Sequence, residues 1–213
     1  MSSIAPPARS TYRHGDLRRV LLEAGIALAR QGGPDAVVLR QATRRAGVAP
    51  NAAYRHFASR QDLLQAVRAA ALSAVAKAME DELATLPATL SPAQRARASV
   101  RAVGTGYLRF AQAETGLFRT AFAASDQFLQ ATPELPTAGP GGLNPFELLG
   151  AALDQLVAAG VMPPERRLGA EFLAWSAVHG LAMLVIDGPL ARAVGPHMQQ
   201  VGQRLLDMVE KGL

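Results

Sequence analysis

The sequence contains no cysteine, so disulfides and thiolate metal sites are excluded. Lysine is almost missing as well, with Lys77 and Lys211 the only two, and nearly all positive charge is therefore arginine. Long apolar runs are lacking. The longest, around Trp175 to Ile186, is interrupted by His179 and is too short to span a bilayer. No positively charged segment followed by an apolar stretch opens the chain, so neither a secretory signal nor membrane attachment is expected. Strand-like alternation is missing too. Nucleophile elbows, phosphate loops, metal boxes and paired catalytic carboxylates cannot be found, which argues against an enzyme and against any cofactor. The four histidines are scattered, with no partner at ligand spacing, so no metal site is expected.

Enough apolar material is present for a large core. Hydrophobic residues make up 49% and charged residues 18% of the 213 positions, a balance that speaks against wholesale disorder. The charge is segregated. Residues 1–65 hold 10 Lys+Arg against 4 Asp+Glu, while residues 66–213 hold 12 against 13. A basic head on a near-neutral body is the footprint of a domain that meets a polyanion. General abundance of arginine would not by itself produce that asymmetry.

Alanine and leucine dominate, and the apolar spacing is helical almost throughout, giving an all-α reading with about nine helices and no internal repeats. Residues 1–10 read as a flexible arm. Leu17, Val20, Leu21, Ala24 and Leu28 define a first helix that Asp16 can cap and Gly32-Gly33-Pro34 ends. Short helices over 39–46 and 50–57 follow. Ser59 and Asp62 form a capping box that opens a helix of about 27 residues, ~40 Å long, stopped by Pro87. Ser91-Pro92-Ala93-Gln94 and Asn144-Pro145-Phe146-Glu147 repeat one device, a cap with proline at the first helical position, and open helices at about 92–113 and 145–159. A short helix is expected at 116–124, a Pro/Gly-rich loop at 132–145, and two last helices beginning near Pro164 and Pro196.

The segment LRQATRRAGVAPNAAYRHFASRQDLL, Leu39 to Leu64, holds two short helices around Gly47, where glycine permits the left-handed corner of a tight interhelical turn. Leu39, Ala42 and Ala46 supply the inner side of the first helix, and Tyr54 and Phe57 anchor the second. Arg44, Arg45, Arg55 and Arg60 bring charge to the same region. AGVAPNAAYRHFASRQDLL resembles the TetR family helix-turn-helix, and the match in spacing runs from Leu17 to Leu64. Ala49 departs from it, standing where a capping Ser or Thr is usual, at a cost of roughly 1 kcal/mol of local helix stability. Further on, Trp175-Ser-Ala-Val-His179-Gly180 resembles the Trp…His-Gly signature of one TetR C-terminal domain type.

The resemblance implies a helix-turn-helix DNA-binding domain over 11–62 and a ligand-binding and dimerisation domain over 63–213. It implies a cytoplasmic, sequence-specific transcriptional regulator: a ligand-released repressor that binds a palindromic double-stranded operator as a homodimer. A helical small-molecule adaptor without specific DNA binding is the alternative. By the same resemblance Pro50, Asn51, Ala52 and Ala53 face the bases. Asn51 would read an adenine edge, Ala52 or Ala53 a thymine methyl, and Arg44 a guanine. Tyr54, His56 and Arg60 would meet phosphates, and Arg55 a base or a phosphate. Arg9, Tyr12, Arg13 and His14 would form an arm. Tyr54 and Phe57 also suit plain core, Arg45 and His56 a solvated surface, and His14 a helix cap.

Base contacts at about 1–3 kcal/mol each, two or three per helix, cannot single out one site in a genome, which is the reason to expect two subunits. Half-sites about one turn apart, on the order of 34 Å, follow, with a salt slope near −7 for the dimer. Met198, Val201, Leu205 and Met208 repeat at heptad-like spacing, and Val178, Leu181, Ala182 and Val185 add a broad apolar face. Together they are the dimer candidate. Most of the aromatics gather in the middle of the body. Tyr107, Phe110, Phe118, Phe122, Phe128 and Phe146, with Trp175 and His179 four residues apart, would line a cavity for a small apolar or aromatic effector. Taken singly, each phenylalanine suits a packed core better than a pocket wall, and His179 suits a structural hydrogen bond better than a ligand contact.

Overall fold

The structure, a computed structural model, describes residues 14–123 and 136–212. The arm at 1–10, Arg9, Tyr12, Arg13 and Phe128 lie outside the described residues. The described chain is helical, without strands. Its elements are α1 (His14–Gly32), α2 (Leu39–Ala46), α3 (Pro50–Ala53), α4 (Arg60–Ala84) and α5 (Pro92–Ala113). They continue with α6 (Thr115–Ala121), α7 (Pro145–Ala158), α8 (Ala170–Ile186), the single turn α9 (Ala191–Val194) and α10 (Met198–Gly212).

All three capping boxes form. Ser59 accepts from the Asp62 amide, Ser91 from that of Gln94, and Asn144 from those of Phe146 and Glu147, and each box is closed reciprocally. These caps satisfy amides that the first helical turn leaves without partners. At the other end of α2, Gly47 sits at φ 67° and hands the chain back toward Val48. An added side chain would meet no neighbouring atom but would strain this left-handed backbone by roughly 1 kcal/mol, so glycine is the favoured residue at this corner.

Several expected boundaries shift. α1 begins at His14, which puts Asp16 inside its first turn. The recognition segment is helical only over Pro50–Ala53, with residues 54–56 continuing as a turn. Ala49 offers no side-chain acceptor, so the start of α3 is left uncapped. The penultimate helix starts at Ala170, after a 3₁₀ turn at Pro164–Arg166, and the last starts at Met198, after α9 and a second such turn.

The head packs α1, α2 and α3 against the first turns of α4. Leu21, Val37, Ala42, Phe57, Leu63 and Val67 are almost entirely buried there. The Arg18 guanidinium lies 4.9 Å from the centre of the Phe57 ring. At 25 residues, α4 is about 37 Å long and continues into the body, where Ala71, Val75 and Met79 are buried. Helix α6 is wedged between the two parts. Its Phe118 faces Tyr107 in the body, with ring centroids 5.2 Å apart. Its Gly116 lies so close to α1 that a Cβ there would overlap the carbonyl oxygens of Ala29 and Arg30.

Candidate DNA interface and apolar cavity

Helices α2 and α3 present one basic surface. Arg44, Arg45, Pro50, Asn51 and Arg55 are exposed, as is Tyr54, at 58%. Arg44, Arg45 and Arg55 have no ion-pair partner among the described residues. Arg40 on α2, not singled out from the sequence, is exposed beside them. Its spacing of four from Arg44 was the available signal.

Other expectations need correcting. Ala53 is fully buried in the head core, so its methyl cannot reach a base; Ala52 is half-buried. Phe57, 1% exposed, anchors the segment alone, while Tyr54 turns outward. His56 is half-buried. Arg60 is already engaged: its Nε donates to the carbonyl of Val37 (2.8 Å) and its terminal nitrogen to that of Pro34 (2.9 Å). It ties the start of α4 to the corner after α1, a role invisible in sequence because its partners are backbone oxygens.

In the body, an apolar cavity opens among α4, α5, α7, α8 and α10, with an empty volume of about 520 Å³ that includes its mouth. Of the expected ligand-facing residues, Tyr107, Phe122, Phe146 and Trp175 line it. Phe118 is fully buried and backs the wall, its ring tilted against that of Phe122 with centroids 4.8 Å apart. Phe110 is buried outside the lining, as plain core. His179 stands behind Tyr107, its Nδ1 2.8 Å from the Tyr107 hydroxyl, and Trp175 Nε1 donates to that same hydroxyl at 3.2 Å. Burial pushes the His179 pKa down and holds the Tyr107 phenol far above its usual range, so both are neutral at neutral pH. The sequence reading missed the aliphatic part of the wall, notably Val100, Val103, Leu149 and Leu206. Their helical spacing showed only that they were buried.

The proposed dimer face divides in two. Val178, Ala182 and Met198 are buried within the chain, and Val178 lines the cavity, so these three turn inward and cannot meet a partner. Leu181, Val185, Val201 and Leu205 are partly covered, and Met208 is 60% exposed. The outward side of α8 is instead Leu173, Gly180 and Leu184. Among the described residues, no group of His, Asp or Glu suits a metal ion, and no single helix is long and apolar enough to cross a membrane.

Two family profiles match this arrangement. Residues 21–67 match the bacterial regulatory proteins of the tetR family, and residues 100–209 match the tetracyclin repressor-like C-terminal domain. The chain belongs to the TetR family. As a TetR-family member with a helix-turn-helix head, it is a DNA-binding transcriptional regulator. No curated protein matches its sequence. Among solved structures, a protein of unknown function from Rhodococcus sp. RHA1 is similar over 96% of this chain and 99% of its own, at 27% identity and a TM-score of 0.72. The transcriptional regulator FadR from Bacillus subtilis, in complex with stearoyl-CoA, shares the fold at 12% identity and a TM-score of 0.66, over 92% of this chain and 98% of its own. A TetR variant from Acinetobacter baumannii in complex with minocycline does so at 17% identity and 0.56, over 90% and 93%.

Proposed function

We propose that this TetR-family protein is a ligand-released repressor acting in the cytoplasm, binding a palindromic operator as a homodimer. The observation that carries the reading is the exposed basic surface of α2 and α3, with Arg44, Asn51 and Arg55 unburied and the arginines unpaired. One such surface supplies too few base contacts to specify a site, so the reading requires two copies. The outer stripe Leu173, Gly180 and Leu184 of α8, with Val201, Leu205 and Met208 of α10, supports a four-helix pairing across a twofold axis. Asn51 reads an adenine edge and Arg44 a guanine, while Tyr54 and Arg55 hold phosphates.

Release follows from the seat of α6. A ligand in the cavity presses on Phe122, whose neighbour Phe118 belongs to α6, and the other side of α6 rests on α1 at Gly116. Displacing α6 moves the head and α4, and the two recognition segments lose their groove spacing. The ligand acts only by its differential affinity for the two arrangements.

Selection of bound duplexes from a random pool by the purified protein tests this. The expected product is an inverted repeat with half-sites at least one helical turn apart, bound by a dimer. A protein that sediments as a monomer and enriches no sequence at low salt would instead behave as an adaptor, and the proposal would fall.

A further inference from the structure

The cavity has a composition that sets the charge of its ligand, provided that it is a ligand site as proposed above. Among its described lining residues the side chains are aliphatic or aromatic, and the Tyr107 hydroxyl and the Trp175 indole N–H are the only polar side-chain groups. No arginine, lysine or histidine is in that lining. Of the arginines within three residues of a lining position, Arg97 and Arg101 on α5 are paired with Asp207 and Glu210 of α10, Arg109 with Glu82 and Arg119 with Asp187, while Arg204 is exposed to solvent. One helix begins at the cavity, α7, whose Pro145 and Phe146 line it. A helix start ordinarily offers amides to an anion. Here Pro145 has none, and the amides of Phe146 and Glu147 already donate to Asn144 Oδ1, at 2.9 and 3.0 Å. A carboxylate or phosphate entering this wall would lose its water and gain neither cation nor amide, which is strongly unfavourable.

The polar groups that are present have limited capacity. A phenolic oxygen donates one hydrogen bond and accepts two. Tyr107 accepts one from Trp175 and shares a second with His179 Nδ1. One position remains. When His179 carries its proton on Nε2, the Tyr107 hydroxyl donates to Nδ1 and can still accept from a ligand O–H. When the proton is on Nδ1, the Tyr107 hydrogen is left to donate to a ligand carbonyl. The choice of tautomer lets the same oxygen serve an alcohol or a ketone.

We infer that the effector is an uncharged, compact hydrophobic molecule bearing one hydroxyl or carbonyl, read by the Tyr107–His179 pair, and that carboxylates, phosphates and their thioester conjugates with charged carriers are rejected. FadR with stearoyl-CoA is therefore a guide to the fold and not to the ligand chemistry of this chain.

Trp175 is the only tryptophan and lines the cavity, so its fluorescence reports occupancy directly. The full-length protein is titrated at pH 8 with four ultraviolet-transparent probes of one shape: 4-tert-butylcyclohexanol, 4-tert-butylcyclohexanone, 4-tert-butylcyclohexanecarboxylate and tert-butylcyclohexane. The alcohol and the ketone should shift the emission at concentrations at least about tenfold lower than the carboxylate. Tyr107→Phe should weaken the alcohol and the ketone by about tenfold and leave tert-butylcyclohexane unchanged. A carboxylate that binds as tightly as the alcohol overturns the inference and leaves the ligand-site reading intact. A folded protein that answers none of the four, up to their solubility, overturns the ligand-site reading itself. If Tyr107→Phe does not fold, the comparison of alcohol with carboxylate on the unaltered protein decides the matter.

Discussion

In the body, most of the arginines near carboxylates are tied across helices, Arg101 to Asp207, Arg109 to Glu82, Arg119 to Asp187, and Arg167 to both Asp154 and Glu171, while Arg192 and Arg204 stand apart from one another in solvent. In the head, Arg44, Arg45 and Arg55 stand exposed with no carboxylate partner among the described residues. The same residue type thus meets two different electrostatic fates. Exposed pairs contribute at most about 1 kcal/mol each, so the body pairs fix helix register more than they stabilise the fold. Unpaired like charges on one small surface repel, and a fold gains nothing from them. Their clustering is understandable if a polyanion supplies the missing partners.

This contrast can be broken experimentally. The largest effect is expected from Arg44→Ala combined with Asn51→Ala. Removing both base-reading side chains from each half-site should weaken operator binding by about a thousandfold or more, read by fluorescence anisotropy, with an unchanged melting temperature. Unchanged affinity would remove the head from the interface. Next, Arg55→Gln should reduce the slope of log K against log salt by about 2 for a dimer, whereas Arg109→Gln should leave the slope alone. Equal responses would erase the distinction between head and body.

Smaller effects sharpen it. Ala49→Ser should restore a cap to α3 and add roughly 1 kcal/mol of stability, measured by urea unfolding. Arg101→Ala should cost less than about 1 kcal/mol, since both partners are partly in water, and should not alter DNA affinity. The smallest effect concerns pH. Burial lowers the pKa of His179 in the folded protein below its unfolded value, so on acidification the unfolded chain takes up the proton first. Stability should therefore fall as pH drops through the ordinary histidine range and level off below the folded pKa. His179→Asn should flatten that part of a thermal-denaturation profile.

Much of this architecture was legible in the sequence because local chemistry encodes it. Ser59 with Asp62, Ser91 with Gln94, Asn144 with Glu147 and the Gly47 corner each place a helix end by interactions within four residues. The features that were not legible depend on neighbours brought in from far along the chain. Periodicity put Val178, Ala182 and Met198 on apolar faces but could not say which neighbour those faces meet, and they turn inward. α8 is apolar nearly all round, so its sequence could not separate the face that packs inward from the one that turns outward. Arg60 resembled a free cation until the carbonyls of Pro34 and Val37 came within reach. The uncapped start of α3 was legible in Ala49, which has no side-chain acceptor.

The close approach at Gly116 has a mechanical consequence. The bearing of the head on the body is set there by an atom that is not present, since backbone rests on backbone across the seam with Ala29 and Arg30. A single methyl at residue 116 would act as a shim, tilting the reading surface away from the cavity wall without touching either one.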